Sequence, residues 1–238
     1  MRKLLYPTLL ATAALLLACA PSPQPEAPVV APQAPASAPA PAVAQTAPTA
    51  AQDEWILPGW ITEATTLEQV KQHFGAANVR EENRLDGAEG MTYSAWIVFP
   101  DNPTKRLELI PYEETRPGRV LTRIRVADPT SRWHDANGLH PGMTLAELVE
   151  RNGKPIGFSG LDWDYGGTVL DWNGGKFALH EDIVIFPTAT LTRRPGLPEG
   201  AKIPTGDGEF RSDDKRFPTL GQDLVVGELW LDWMDQDD

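Results

Sequence analysis

Two ten-residue segments of this 238-residue chain match at a constant offset of 78 residues, and each has the pattern of one short helix. The first runs from Thr66 to Gly75 and the second from Thr144 to Gly153. In both, a threonine takes the N-cap position, Gln or Glu follows three residues later at capping-box spacing, and a glycine stands where the helix would end. One capping box is common by chance, but two in register predict an internal duplication.

Short stretches with the period-two alternation of β-strands follow each helix. After the first helix they cover 91–99, 106–110 and 120–127, and after the second they cover 168–172, 176–180, 183–186 and 224–231. No helical pattern separates successive strands, as parallel βαβ units would require. The sequence therefore predicts an α+β fold of two tandem helix-plus-antiparallel-sheet repeats. A further match between 97–100 and 184–187, at an offset of 87, indicates loop insertions in the second repeat.

The N-terminus combines a positive charge with an apolar run that ends at the only cysteine. Arg2 and Lys3 precede the run 4–18, which has the length of a signal-peptide apolar region and is too short for a comfortable membrane span. The run closes with Leu-Leu-Ala-Cys, which resembles a bacterial lipobox. The resemblance implies that Cys19 receives a diacylglycerol, becomes the first mature residue and is acylated again. Ordinary cleavage after the small-x-small triplet 18–20 is the alternative.

The lipobox resemblance also implies an address. Ala20 follows the cysteine where an aspartate would retain the protein in the inner membrane, so sorting to the periplasmic face of a Gram-negative outer membrane is expected. Several acyl chains exceed what lasting membrane attachment needs. The lipid bilayer is thus a predicted partner, held through Cys19.

A low-complexity stretch of Ala, Pro, Gln, Ser and Thr separates this anchor from the remainder of the chain. Such a composition cannot bury enough apolar surface to fold, so a disordered tether reaching at most ~100 Å is predicted. The expected organisation is a signal peptide over 1–18, the lipidated cysteine and tether over 19–53, a first repeat over 54–130 and a second over 131–238.

Charge and residue usage exclude several function classes. The formal net charge of −12 opposes nucleic-acid binding, and a single cysteine excludes an internal disulfide or a cysteine-based zinc site. The four histidines are not spaced as metal ligands, and neither a nucleophile elbow nor a phosphate-binding loop is present. We therefore predict no catalytic residues, no metal and no cofactor.

The second helix carries a family resemblance. Gly-Met-Thr over 142–144, Glu147-Leu148 and the Gly-Lys-Pro over 153–155 resemble the signature of the small outer-membrane lipoproteins of the SmpA/OmlA (BamE) type. The same helix-plus-sheet unit in tandem is similar to the β-lactamase inhibitory protein. The resemblance implies the fold and a protein-binding role, with the partner unspecified.

The most unusual stretch of the chain mixes aromatic and acidic residues around Gly-Gly pairs. Aromatic side chains with polar tips supply large contact areas, so this stretch is a candidate binding surface. It comprises Asp162, Trp163, Asp164, Tyr165, Asp171 and Trp172. Two alternatives are a Gly-Gly hairpin whose rings fill the core, and a calcium loop, which lacks the glutamate needed at its twelfth position because Asn173 stands there.

The leading hypothesis is a non-enzymatic, membrane-anchored periplasmic lipoprotein that binds an envelope protein through a concave sheet face, in an assembly or inhibitory role. The alternative is an enzyme or binder of envelope glycan or peptidoglycan, with carboxylates beside Trp163 and Trp172 as acid and base. A third class, a structural factor in envelope assembly, is expected to co-purify with outer-membrane complexes.

Overall fold

Six strands pair into one antiparallel sheet that dominates the molecule. The computed structural model describes residues 53–179 and 184–234. In chain order its strands are β1 (Ile56–Leu57), β2 (Val79–Asp86), β3 (Thr92–Val98), β4 (Leu107–Arg116), β5 (Arg119–Val126), β6 (His134–Asp135), β7 (Gly157–Ser159), β8 (Val169–Asp171), β9 (Ile185–Arg193), β10 (Glu209–Arg211) and β11 (Leu224–Trp233). The large sheet has the order β2-β3-β4-β5-β11-β9, and each of its neighbouring pairs is antiparallel. Strands β10, β7 and β8 form a small second sheet, and β1 pairs with β6.

Three helices accompany the sheets: α1 (Leu67–Phe74), α2 (Leu145–Asn152) and α3 (Leu220–Asp223). The two helices predicted from the sequence are confirmed, as are both capping boxes. Thr144 Oγ1 accepts a hydrogen bond from the backbone of Glu147 at 3.2 Å, and the Glu147 side chain accepts one from the backbone of Thr144 at 2.8 Å. These bonds satisfy donors that a helix N-terminus otherwise leaves unpaired.

One apolar cluster joins both halves of the chain. Alternate residues of β4, β5 and β11, represented by Leu109, Ile124 and Leu229, are fully buried on one face of the sheet. Helix α1 contributes Val70 to the same cluster and helix α2 contributes Leu148. The helices therefore cover one face of the large sheet, and the architecture is α+β with antiparallel sheet, as the sequence indicates.

Several strands differ from the sequence expectation. Strand β2 was not predicted, because an edge strand tolerates the charged run that its sequence carries. The predicted strand 176–180 is absent over its described part, where 176–179 form turns around the buried Phe177. The expected match of 97–100 with 184–187 is wrong as a structural equivalence, since the first string ends β3 and the second begins β9.

Strand β5 also departs from simple alternation. Period-two alternation over 120–127 predicts that Val120, Thr122, Ile124 and Val126 share one face. In the structure, Leu121 joins the core together with Ile124. A shift in register between β4 and β5 beside Pro111 explains the change, because a bulge inverts the side-chain pattern beyond it.

The N-terminal expectations lie outside the described residues. These are the signal peptide over 1–18, the lipidated Cys19 and all of the tether except residue 53. Across 53–179 and 184–234, none of the helices has the length and apolar character needed to cross a membrane.

Candidate functional site

The face of the large sheet opposite the helices forms a groove of about 1150 Å³. Because side chains alternate along a strand, the residues between the core positions point to this face. On β4, β5 and β11 they include Ile110, Arg123, Arg125, Glu228 and Trp230. The groove therefore lies on the face of the large sheet that the helices leave uncovered.

The two ends of the sheet approach each other over the groove. The backbone N–H of Glu89, in the turn after β2, donates to Asp164 Oδ2 at 3.0 Å, although 75 residues separate them. The loop that carries Asp164 also brings Tyr165 to the groove, and Met91 lines the groove from the other side. Both Tyr165 and Met91 are exposed, at 46% and 69% of their full surface. The groove is thus bounded by lips that carry apolar surface.

A partly buried ion-pair network forms the floor of the groove around Arg125. Its Nη1 donates to Glu108 Oε2 at 2.9 Å, and its Nε donates to Glu228 Oε2 at 3.2 Å. Glu108 is only 4% exposed and accepts a further bond from Arg106 at 2.9 Å. Burial alone would lower the pKa of Arg125, but the hydrogen bond and the charge of Glu228, followed by those of Glu108, raise it. The guanidinium is therefore a permanent cation held between two anions.

Aromatic residues complete this floor. The hydroxyl of Tyr93 donates to Glu108 Oε2 at 3.1 Å, and the indole N–H of Trp230 donates to Glu228 Oε2 at 2.9 Å. The Trp230 ring also contacts two guanidinium groups, those of Arg123 at 5.4 Å and Arg125 at 5.1 Å. These cation–π contacts occupy the ring, so the indole is a structural part of the network.

A second ion pair lies beside the first. Arg123 Nε and Asp232 Oδ1 are 2.9 Å apart, across paired positions of β5 and β11. Burial raises the pKa of Asp232, and Arg123 partly opposes that rise. Three adjacent strands therefore carry the charge pattern of the floor, and each of its arginines has a carboxylate partner.

The six candidate residues predicted from the sequence do not form one surface in the structure. Asp164 and Tyr165 line the groove, and Trp163 stands beside Tyr165 with ring centroids 5.5 Å apart. Asp162 lies in the same loop, where it binds Arg193 at 2.7 Å. The six candidate residues thus include four in one loop at the groove lip.

The other two candidates lie elsewhere. Asp171 accepts a hydrogen bond from the backbone of Asn173 at 2.6 Å, which stabilises a turn. Trp172 is partly buried against the core, with its ring 5.2 Å from that of Phe177. Neither lines the groove.

The floor residues were missed at the sequence level, although a signal was present. Glu108 stands between two leucines, and Arg123 and Arg125 alternate with apolar residues in a central strand. A charge at alternate positions of a strand whose other face is buried indicates a paired, ordered polar face. Recognising the partners required the strand order, because Glu108 and Glu228 are 120 residues apart.

The groove combines paired charges with aromatic side chains. The two central carboxylates, those of Glu108 and Glu228, are both bound to Arg125. Within 53–179 and 184–234, no group of three or more His, Cys, Asp or Glu side chains is arranged to hold a metal ion. The site therefore offers oriented charges, aromatic edges and an apolar lip.

Tyr93 supplies a pH prediction for this network. Burial, followed by the charge of Glu108, raises the pKa of Tyr93 to about 12, compared with ~10 for an exposed tyrosine. The unfolded chain thus releases this proton at lower pH than the folded chain. The resulting contribution to stability is fully present below pH ~10 and is lost as the pH rises towards about 12. Subtracting the phenolate absorbance titration of Tyr93→Phe from that of the unmodified protein is expected to give a midpoint near 12. A midpoint near that of a free tyrosine would contradict the placement of this side chain.

Comparison with known proteins gives no further assignment: no protein-family model, curated protein or solved structure matches this chain.

Proposed function

We propose that this chain is a lipoprotein anchored at the periplasmic face of the outer membrane, where its sheet groove binds an envelope protein. The observation that carries the proposal is the groove of about 1150 Å³, with an ionic floor and with exposed lips formed by Tyr165 and Met91. Tyrosine, tryptophan and arginine, the residues most enriched at binding hot spots, are all present in its lining. A site built in this way binds by shape and charge.

The spacing of the helices and strands supports a tandem duplication as part of the same proposal. Helices α1 and α2 begin 78 residues apart, and the same offset separates the first residues of β2 and β7 and those of β4 and β9. Each repeat, over 54–130 and 131–238, would consist of a helix followed by four main strands, with β10 and α3 inserted before β11. The last strands of the two repeats, β5 and β11, pair with each other. Joined in this way, four strands of the first unit and two of the second form the large sheet, and residues of both units line the groove, which suits a protein partner.

The alternative of a glycan-acting enzyme or glycan binder is less well supported. Sugar rings stack on open aromatic faces, but the Trp230 ring contacts two guanidinium groups. The guanidinium group of Arg116 lies 4.5 Å from the centre of the Tyr112 ring. A glycosidase also needs one protonated and one ionised carboxyl group. Here both central carboxylates, those of Glu108 and Glu228, form ion pairs with the same arginine, Arg125.

Membrane attachment is proposed through Cys19. Cells fed labelled palmitate are expected to incorporate the label into the protein, and Cys19→Ser is expected to abolish incorporation and release the protein from the membrane fraction. Incorporation of labelled palmitate into the Cys19→Ser protein would contradict attachment through Cys19.

Site-specific crosslinking in intact cells tests the binding function. A photo-crosslinking residue at Thr190, in the groove, is expected to capture one dominant envelope protein. The matched control is the same residue at Glu68, which is exposed on α1 and lies outside the groove. Equal capture at both positions, or none at Thr190, would contradict the proposal. Capture of a whole outer-membrane assembly complex would favour the role of structural assembly factor.

A further inference from the structure

The groove has an excess of negative charge. Six carboxylates and three arginines line it. Two of the arginines, Arg123 and Arg125, are paired with Asp232 and Glu228 in the floor. The charges of the floor are thus largely balanced within the protein itself.

The exposed carboxylates of the groove, which we call the mouth carboxylates, differ from those of the floor in their partners. Asp86, Glu113 and Glu114 line the groove and are exposed. Among residues 53–179 and 184–234, no basic side chain forms an ion pair with any of these three. Asp164, on the opposite lip, accepts only the backbone N–H of Glu89 among the described groups. The mouth therefore presents anionic groups that are available to a ligand.

The exposed apolar surface lies beside these carboxylates. The Tyr165 ring, next in sequence to Asp164, is 46% exposed and lines the groove. Met91 lines it as well and is 69% exposed. An aromatic ring beside a carboxylate attracts an ammonium or guanidinium group, while an apolar neighbour accommodates the long aliphatic part of a Lys or Arg side chain.

From this complementarity we infer that the partner enters the groove with a positively charged segment, whose Lys or Arg side chains contact the mouth carboxylates and Tyr165. The inference rests on the proposed protein-binding function and adds the chemistry of the partner. A protein segment fits better than a small cation, because the groove, at about 1150 Å³, exceeds the usual ~300–1,000 Å³ of small-molecule pockets. It also fits better than an acidic segment, which the mouth charges would repel.

Three synthetic peptides of equal length test the inference. They share a Gly-Ser framework in which alternate positions are Lys, Gln or Glu, and each carries a fluorescent label. Their binding to the purified full mature chain, carrying Cys19→Ser to avoid acylation, is measured by fluorescence anisotropy at physiological salt. The Lys peptide is expected to bind, and the Gln and Glu peptides are expected to bind at least about tenfold more weakly.

Matched variants separate the groove from the general negative charge of the chain. The double variant Glu113→Gln/Glu114→Gln is expected to weaken Lys-peptide binding by about tenfold, and Tyr165→Ala by about threefold. The control is Glu68→Gln/Glu150→Gln, which removes the same charge from exposed positions on the two helices. It is expected to change binding by less than about twofold. All of the substituted side chains are exposed, so the thermal unfolding midpoints of the variants should match that of the unmodified protein.

Every other outcome overturns either this inference or the proposed function. Equal weakening by the two double variants would show long-range attraction only and overturn the inference, as would equal binding of the three peptides or no binding of the Lys peptide. The proposed function is judged separately, by the in-cell crosslink at Thr190. A crosslink there to a segment without Lys or Arg would overturn the inference and leave protein binding in place, whereas no crosslink would remove the proposed function itself.

Discussion

Replacing Arg125 with methionine is expected to destabilise the folded protein by about 3–5 kcal/mol. The change removes the cation that contacts both Glu108 and Glu228, and Glu108 is only 4% exposed. A buried carboxylate that loses one of its two arginine partners loses that interaction and keeps its desolvation penalty. Urea unfolding monitored by tryptophan fluorescence measures the loss.

Two further variants show whether burial causes the effect. Arg193→Met breaks an ion pair with Asp162 in which both side chains are more than 40% exposed, so its effect is expected to stay below ~1 kcal/mol. Adding Glu108→Leu and Glu228→Gln to Arg125→Met is expected to restore part of the lost stability, because no unpaired buried charge then remains. Equal effects of Arg125→Met and Arg193→Met would contradict the buried network.

Replacing Gly167 with alanine is expected to destabilise the protein by about 3 kcal/mol or more, or to prevent folding. Gly167 has φ +80°, a conformation that L side chains rarely adopt, and a Cβ there would collide with the backbone of Leu191. The close approach is part of the fold, since the Leu191 N–H donates to the Gly167 carbonyl at 2.8 Å. Any side chain would push the lip loop, which carries Asp164 and Tyr165, away from β9.

Gly196 provides the matched control for the steric part of this effect. It has a similar φ of +74°, but nothing lies within 4 Å of the position that a Cβ would take. Gly196→Ala should therefore incur only the conformational cost, about 1–2 kcal/mol. If urea midpoints show the same loss for both alanines, the packing of Gly167 against β9 is not as described.

The lip loop illustrates how far local sequence reasoning reaches. The Gly-Gly pair at 166–167 indicates a turn, and Gly167 does adopt a left-handed conformation. Whether the adjacent rings are buried or exposed depends on what packs above them, which no local pattern contains. The structure leaves Trp163 and Tyr165 at least 40% exposed, whereas Trp172 packs against the core. Aromatic residues seven or nine positions apart in the sequence thus have different environments.

The two capped helices and the antiparallel α+β class were determined by the sequence itself, because capping boxes, terminal glycines and strand alternation act between near neighbours. Only the tertiary structure decided the groove. Its central contacts join residues 17 and 103 positions apart, through strands whose order in the sheet departs from their order in the chain. A register shift beside Pro111 then determines which side chains of β5 face the groove. Strand order and cross-strand pairing are long-range outcomes of packing, and together they bring Glu108, Arg125 and Glu228 into contact.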